Sequence, residues 1–488
     1  MTVKLIGTVK YFVPCILIFM LLTVAVTASE TAIGNAPIAL QGNFAPAQDQ
    51  EVLQGSGTRE DPFIISDTDD FLYFAYQVNS GSSLYSNACY KQTGDVIISD
   101  GLYNPVGTQQ FPFCGDYDGD GNYTELNISD SDSQVAALFG YAENANFKNI
   151  QINVCIDVQN STGEIVAAGL CADYLADELG NTFEISKISV TGNVKSVSGE
   201  SIAVSAGVVG RVYVQKGKLL FSDCVSHCSA YAEAKTTAYA SGIASHVAAE
   251  STGVASFVRC AVTSEVSSKS GQYYHSFAGG IAGYFTQDPE GWSGWVSTKV
   301  FLAESSNYNL ENCLAECTIE STASNPLFVH IGQIAAFVSE GVQINKNSLF
   351  YTAGTQMPDC SNAVNGTFTD KKQLFDTEFL FSVLGFDFEN VWININGQRL
   401  ELISQNGWLY KEITDNAALI QPVNCAAGNL VVSFVDENGR ITDIKMFDYD
   451  PASDVFVKID LTEYGSVSDL RTFLLQDGTL MPLARKIS

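Results

Sequence analysis

Three aspartates in a glycine-rich stretch have spacing that could bind a cation. Asp116, Asp118 and Asp120 alternate with Tyr117 and two glycines, and Ca²⁺ prefers carboxylate oxygens as ligands. A helix–loop–helix calcium site needs a glutamate at the twelfth position of its loop, which is Asn127 in this chain. Helical patterns do not flank the loop. Calcium is therefore one candidate role for the stretch, and a structural turn is the other.

Cysteines recur at short spacing in two places. Cys224 and Cys228 form one pair, and Cys313 and Cys317 form another. Both pairs fall at the same two positions of a sequence repeat, which explains them more simply than zinc binding. Cys224 and Cys260 are expected on adjacent repeats, where they either form a disulfide or belong to a reduced ladder of small buried side chains. We favour the ladder.

Catalytic patterns are absent from the sequence. The four histidines, His227, His246, His275 and His330, share no repeat position, and the chain has no Gly-x-Ser-x-Gly motif. Asp and Glu number 54, so the facing carboxylates of a glycosidase stay open as an alternative. We therefore expect no enzymatic activity, with an extracellular polysaccharide-degrading enzyme as the second hypothesis.

Aromatic residues gather in and before one long insertion. Trp292 and Trp295 lie three positions apart within it, and Tyr273 and Tyr274 precede it. Exposed aromatic rings can stack on sugars or anchor a protein partner. These four residues are the predicted ligand-binding site. The alternative is that both tryptophans fold back onto the outer wall of the repeats, which would suit a purely structural spacer.

The four aromatic residues lie in a region, between Phe147 and Val338, in which one sequence unit occurs five times. Each copy opens on an apolar residue and closes on small residues such as Gly279-Gly-Ile-Ala-Gly283. The openings lie 36, 38, 36 and 53 residues apart, at Phe147, Phe183, Phe221, Phe257 and Leu310. This period is typical of a solenoid. Only 16% of residues are charged, and small and β-branched residues favour stacked strands over helices. We expect an all-β, parallel β-helix fold.

Short helical caps and a C-terminal module complete the expected architecture. Asp67 is expected to start a helix whose apolar face carries Phe71, Phe74 and Val78 and which ends at Gly81. The predicted organisation is a signal peptide (1–28), a linker (29–54), an N-terminal cap with the first coil (55–135), a β-helix (136–370), a closing segment with linker (371–424) and a small C-terminal β-sandwich (425–488).

The net charge limits the classes of molecule that the chain can bind. The net charge is −29, which disfavours nucleic acids and anionic membranes but permits neutral glycans and proteins.

Lys4 and Lys10 precede an apolar run that ends near Ala28, which is typical of a cleaved signal peptide, with an uncleaved anchor as second choice. After cleavage we expect no membrane span. Removal of Cys15 leaves 11 of the 12 cysteines, an odd number that implies a free thiol or an intermolecular bridge.

Over residues 55–400 the chain resembles bacterial secreted and surface proteins that carry the GLUG motif. The resemblance rests on motifs in a fixed order: Gly55-Ser-Gly-Thr-Arg-Glu-Asp-Pro-Phe-Ile-Ile-Ser66, Pro105-Val-Gly-Thr108, Cys114-Gly-Asp-Tyr-Asp-Gly-Asp-Gly121, Ala137-Leu-Phe-Gly-Tyr141, Phe147-Lys-Asn-Ile150 and Gly279-Gly-Ile-Ala-Gly-Tyr284. It implies a right-handed parallel β-helix on an extracellular, adhesin-like protein without catalytic residues. The expected function is adhesion, or binding of a glycan or an extracellular protein. The oligomeric state is not predicted.

Overall fold

The computed structural model describes residues 52–99, 103–130, 134–271, 273–287, 307–339, 342–353, 362–388, 390–395, 397–403, 408–413, 417–423, 425, 427–436, 440–451, 457–464, 469–475 and 485–486. These residues form a mostly β structure with extensive parallel sheets, which confirms the all-β prediction. Within these ranges no helix has the length and apolarity that a bilayer crossing requires. The predicted signal peptide (1–28) lies outside the described residues.

The first described region is built around one amphipathic helix, α1 (Thr68–Asn79). Asp67 caps it by accepting a hydrogen bond from the Asp70 amide at 3.0 Å, and Phe71, Phe74 and Val78 are buried, as predicted. The neighbouring elements are α2 (Ser83–Ser86), β1 (Phe63–Ile65), β2 (Cys89–Gln92), β3 (Val96–Ile98), β4 (Asp116–Asp118), β5 (Tyr123–Asp130), β6 (Val135–Ala136), β7 (Phe139–Glu143) and β8 (Asn146–Asn160).

The repeats form the next block of strands, and each strand pairs in parallel with its equivalent one repeat later. They are β9 (Ile165–Ala168), β10 (Cys171–Ser198), β11 (Ala203–Ala206), β12 (Val209–Ser222), β13 (Val225–Ala234), β14 (Ala238–Ser241), β15 (Ala244–Val258), β16 (Ala261–Lys269), β17 (Ser276–Gly279), β18 (Ala282–Thr286), β19 (Asn307–Glu311), β20 (Leu314–Thr322), β21 (Val329–Gly332), β22 (Ala335–Val338), β23 (Gln343–Asn347), β24 (Phe350–Ala353) and β25 (Thr367–Phe368). A 3₁₀ turn, Pro326–Phe328, precedes β21.

The small residues that close each repeat allow adjacent turns to touch through their backbones. A Cβ atom on Gly207 would lie 2.1 Å from the carbonyl oxygen of Gly242 in the next repeat. Real Cβ atoms do not approach so closely, so a side chain here would push the coils apart. The six strands β6, β9, β11, β14, β17 and β21 form a second parallel sheet.

One predicted repeat boundary is wrong. Phe147 pairs with Ile185, whereas Phe183 pairs with Leu219. Phe183 and Ile185 are both buried and two positions apart on one strand, so apolarity does not distinguish them. The register is marked instead by a left-handed residue, with φ between 50° and 55°, that follows the opening of each of the five copies, at Asn149, Lys187, Asp223, Arg259 and Asn312, and recurs at Ser348 in the next coil.

Residues 371–402, called here the side segment, pack against the coils. The segment contains α3 (Lys371–Leu374), α4 (Thr377–Ser382), β26 (Trp392–Ile395) and β27 (Arg399–Leu402). Its apolar residues cover Val225, Ala261 and Leu314, which lie on three successive coils. We predicted a segment that closes the end of the stack. The described contacts instead place it along the side of the stack.

The last described strands form two small sheets that share one core. A four-stranded sheet has the order β32-β29-β28-β34 and a three-stranded sheet the order β31-β30-β33. Their bounds are β28 (Trp408–Ile413), β29 (Ala417–Val423), β30 (Gly428–Val435), β31 (Ile441–Tyr449), β32 (Val457–Asp460), β33 (Asp469–Leu475) and β34 (Arg485–Lys486), with a 3₁₀ turn at Leu461–Glu463. All their pairings except β28–β34 are antiparallel.

Candidate functional site

The three aspartates of the calcium candidate lie at a coil corner, where each meets a different cation. The ion pairs are Asp116 with Arg59 at 3.2 Å, Asp118 with Lys148 at 3.1 Å and Asp120 with Lys91 at 3.0 Å. Within the described ranges, no three His, Cys, Asp or Glu side chains gather as a metal site. The structure therefore gives these carboxylates a role in linking neighbouring coils.

Cysteines of three successive coils lie in one column of the core in this structure. Cys224, Cys260 and Cys313 occupy one fully buried column, and all three are free thiols. Burial raises the pKa of Cys260 and of Cys313 well above the usual value for a thiol. The corrected register places Ile188 in this column in the preceding coil. These thiols act as small apolar side chains in the core.

Of the predicted ligand-binding residues, Trp292 and Trp295 lie outside the described residues, whereas Tyr273 and Tyr274 are described. Both tyrosines are strongly exposed, at 71% and 44%. Their loop leads from β16 into β17, and the Ser270 hydroxyl donates to the Tyr274 carbonyl at 2.7 Å. The loop therefore presents two aromatic rings to solvent.

The equivalent loop of the next repeat also carries apolar side chains. Leu327 is 81% exposed, and it is held there by a turn in which the Asn325 side chain accepts from the Leu327 amide at 3.1 Å. The rings of His275 and Phe328 meet edge to face at 4.8 Å and join the two loops. We call Tyr273, Tyr274, His275, Leu327 and Phe328 the exposed aromatic surface.

A stack of rings continues from this surface into the protein. His330, Phe277 and Tyr239 are paired residues of successive coils, and their rings lie nearly parallel at 4.6 and 5.0 Å. In-register parallel strands produce such a column because equivalent side chains repeat at the strand spacing, about 4.8 Å. His246 and Tyr284 form a second column beside it, and His246 stacks on Tyr239 at 5.0 Å.

The second column continues into a buried ion pair. In the parallel sheet, Arg211 lies next to His246 on one neighbouring strand and next to Asp173 on the other. Its guanidinium donates to both Asp173 oxygens, at 2.6 and 2.9 Å, and reaches Glu164 at 3.3 Å. Asp173 is 1% exposed and therefore closed to a polysaccharide, whereas the Glu164 side chain is 28% exposed and bound to Arg211.

Two imidazoles meet where the ring stack reaches the exposed aromatic surface. Nδ1 of His275 lies 2.7 Å from Nε2 of His330. Burial lowers the pKa of both, and the neighbouring His275 lowers that of His330 further, to about 4. His246 also has a pKa lowered by burial and by Arg211, to about 3. These histidines are neutral at physiological pH.

His227 is covered by the side segment. Its Nε2 lies 3.0 Å from the Leu400 carbonyl and 3.3 Å from Glu401. Glu401 is also bound by Arg399 at 2.6 Å and lies 3.4 Å from the Ser189 hydroxyl. Ser189 therefore contacts the carboxylate and not the imidazole, which is not the order that a serine nucleophile requires.

Sequence reasoning missed the contact of His275 with His330 and the exposure of Leu327. A signal was present, because Tyr239, Phe277 and His330 occupy the same position of successive closing turns. Aligning the copies on those turns, and not only on their openings, would have shown the ring column.

The fold defines this chain as a mostly β protein with in-register parallel strands. No known family profile and no curated protein matches it. Among solved structures, it is similar to a Bacteroides ovatus protein named as a proposed immunoglobulin A1 protease, with a TM-score of 0.51 and 16% identity. The match covers 71% of this chain and 94% of that chain. At this identity the likeness shows the fold alone.

Proposed function

We propose that this chain is a secreted or surface-retained, right-handed parallel β-helix protein that binds a glycan or an extracellular protein and does not catalyse a reaction. The fold part of the proposal is supported by parallel pairing at an offset of one repeat over successive coils. A GLUG-type adhesin is the family that fits it. The net charge of −29 fits an extracellular surface without affinity for nucleic acid.

The exposed aromatic surface carries the binding proposal. Single exposed apolar residues are normal, but Tyr273, Tyr274 and Leu327 project from two neighbouring loops. Rings and aliphatic side chains presented together can stack on a sugar face or anchor a protein, and tyrosine is enriched at the centres of binding sites. The ring contact between His275 and Phe328 joins the two loops before a ligand binds, which reduces the conformational entropy that binding would lose.

An extracellular hydrolase is the second candidate. It is favoured by the name of the Bacteroides ovatus protein, a proposed immunoglobulin A1 protease. Asp173 is buried, and both Asp173 and Glu164 are bound to Arg211, which argues against paired-carboxylate hydrolysis there, because a general acid and a general base must both reach the substrate.

The test is to apply the purified chain to an array of neutral glycans and host-matrix proteins, and in parallel to assay sugar and peptide release from the same ligands. We expect binding without release. Release of products, dependent on the chain and lost on heating it, would contradict the proposal and favour the hydrolase.

A further inference from the structure

We propose that His275 and His330 form a binding site for a divalent transition-metal ion of the zinc and copper class. Their facing nitrogens, Nδ1 of His275 and Nε2 of His330, are 2.7 Å apart. The ring centroids are 5.0 Å apart and the ring planes differ by 23°. The two nitrogens therefore face each other edge to edge. Since the lone pair of an imidazole nitrogen lies in the ring plane, both donors point into one small space.

The two ligands differ in how firmly they are held. His330 is paired with Phe277 in the sheet, and its ring lies between the rings of Phe277 at 4.6 Å and Phe337 at 4.4 Å. His275 is solvent-exposed and contacts Phe328. One fixed and one accessible imidazole give a site that an ion can enter from solvent while its position is set by the sheet.

Only a small movement would admit the ion. Zinc–nitrogen bonds are about 2.0–2.1 Å long, so two nitrogens of a tetrahedral site lie roughly 3.3 Å apart. The present 2.7 Å separation would widen by roughly 0.6 Å on this estimate, which rotation of the exposed His275 ring can supply. The proton now shared between the rings would move to the other nitrogen of its own ring, so two neutral imidazoles bind the ion without net proton release.

The donor set selects the metal. Imidazole suits Zn²⁺, Cu²⁺ and Ni²⁺, whereas Ca²⁺ and Mg²⁺ prefer oxygen ligands. In the part of the chain that the structure describes, no third His, Cys, Asp or Glu completes a cluster with this pair. Water, or an oxygen atom of a bound partner, would fill the remaining positions. The proposed site has nitrogen ligands and so differs from the calcium candidate at Asp116, Asp118 and Asp120, whose ligands would be carboxylate oxygens.

The experiment is a titration of the full chain with Zn²⁺ by calorimetry, repeated with Cu²⁺ and followed by electron paramagnetic resonance. The variants are His275→Ala, which changes an exposed side chain, and His330→Phe, which keeps a ring in the stack beside Phe277. Phe328→Leu is the matched control, because it alters the packing of His275 but removes no nitrogen.

We expect one Zn²⁺ per chain at this site, and nitrogen coupling in the Cu²⁺ spectrum. Each histidine variant should weaken binding by more than about tenfold, because outer-shell partners alone are worth about 10–100-fold and these are direct ligands. Phe328→Leu should leave the affinity within about threefold, since Phe328 is neither a ligand nor a hydrogen-bond partner of one. Absence of binding in the unaltered chain, or binding that both histidine variants retain, would overturn the proposal.

Discussion

The indole Nε1 of Trp392 donates a hydrogen bond to Oδ1 of Asp223 at 3.0 Å, although 169 positions separate the two residues. Asp223 also accepts from Nε and Nη2 of Arg259, both at 2.7 Å. Trp392 is fully buried. One carboxylate therefore ties the side segment to two successive coils.

Replacing Trp392 with phenylalanine keeps an aromatic ring but leaves the Asp223 carboxylate without one of its donors. Because Arg259 still binds Asp223, we expect the free energy of unfolding to fall by about 1.5–3 kcal/mol, the usual net contribution of one hydrogen bond to a charged group. Urea denaturation measures it. Phe381→Leu, which changes an exposed ring in the same segment, should have little effect. Equal stability of Trp392→Phe and the unaltered chain would show that the bond does not hold the segment.

Replacing Arg211 with methionine should be among the most destabilising single changes in the repeats. It would leave Asp173 buried without its cation, at a cost of about 3–5 kcal/mol. The double variant Asp173→Leu/Arg211→Met removes both charges and should recover much of that loss. Denaturation midpoints of the two variants, measured together, check this. A double variant no more stable than the single one would contradict it.

Acid should destabilise the fold partly through His246. Its folded pKa is about 3, and its ordinary value is 6.5. Between these values the unfolded chain binds a proton that the folded chain does not. The contribution of the neutral His246 ring to the stability of the fold is therefore complete above about pH 6.5 and is lost progressively as the pH falls toward 3.

His246→Phe, which keeps a ring beside Tyr239, should make stability less dependent on pH over this window. The measurement is the difference in unfolding free energy between the unaltered chain and the variant at pH 7.5 and at pH 4.5. The difference should shift in favour of the variant at the lower pH, whatever the carboxylates contribute to both proteins. A pH-independent difference would contradict the assignment.

The cysteines of the ladder should not react with alkylating reagents in the native protein. Cys155 is exposed and should react first with iodoacetamide, whereas Cys224, Cys260 and Cys313 are buried and should react only after denaturation, because buried structural thiols are out of reach of the reagent. Mass spectrometry of peptides labelled before and after unfolding measures this. A disulfide-linked peptide joining Cys224 to Cys260 in a non-reducing digest would contradict the reduced ladder.

The repeat positions of Phe221 and Phe257 could be predicted from sequence because each precedes a Cys by three residues, and these phenylalanines do pair. The second repeat lacks that cysteine, and Phe183 and Ile185 are equally apolar. The choice between them depends on which residue precedes the left-handed corner at Lys187, and lysine gives no clear signal for that conformation.

The candidate functional site could be predicted only in part, again because its contacts depend on strand register. Exposure of Tyr273 and Tyr274 follows from their place in a polar loop, but the meeting of His275 with His330 depends on strand register across a 55-residue interval. The packing of Trp392 on Asp223 is equally non-local. Apolar patterns show which side chains are buried, but not which distant element covers them.

The most direct test of the binding proposal compares three forms of the chain on the glycan and matrix array. These are the unaltered chain, the triple variant Tyr273→Ser/Tyr274→Ser/Leu327→Ser, and the control Tyr76→Ser, which removes an exposed ring from α1. We expect the triple variant to lose binding while the control retains it, with all three equally stable. Full binding by the triple variant would contradict the exposed aromatic surface as the binding site.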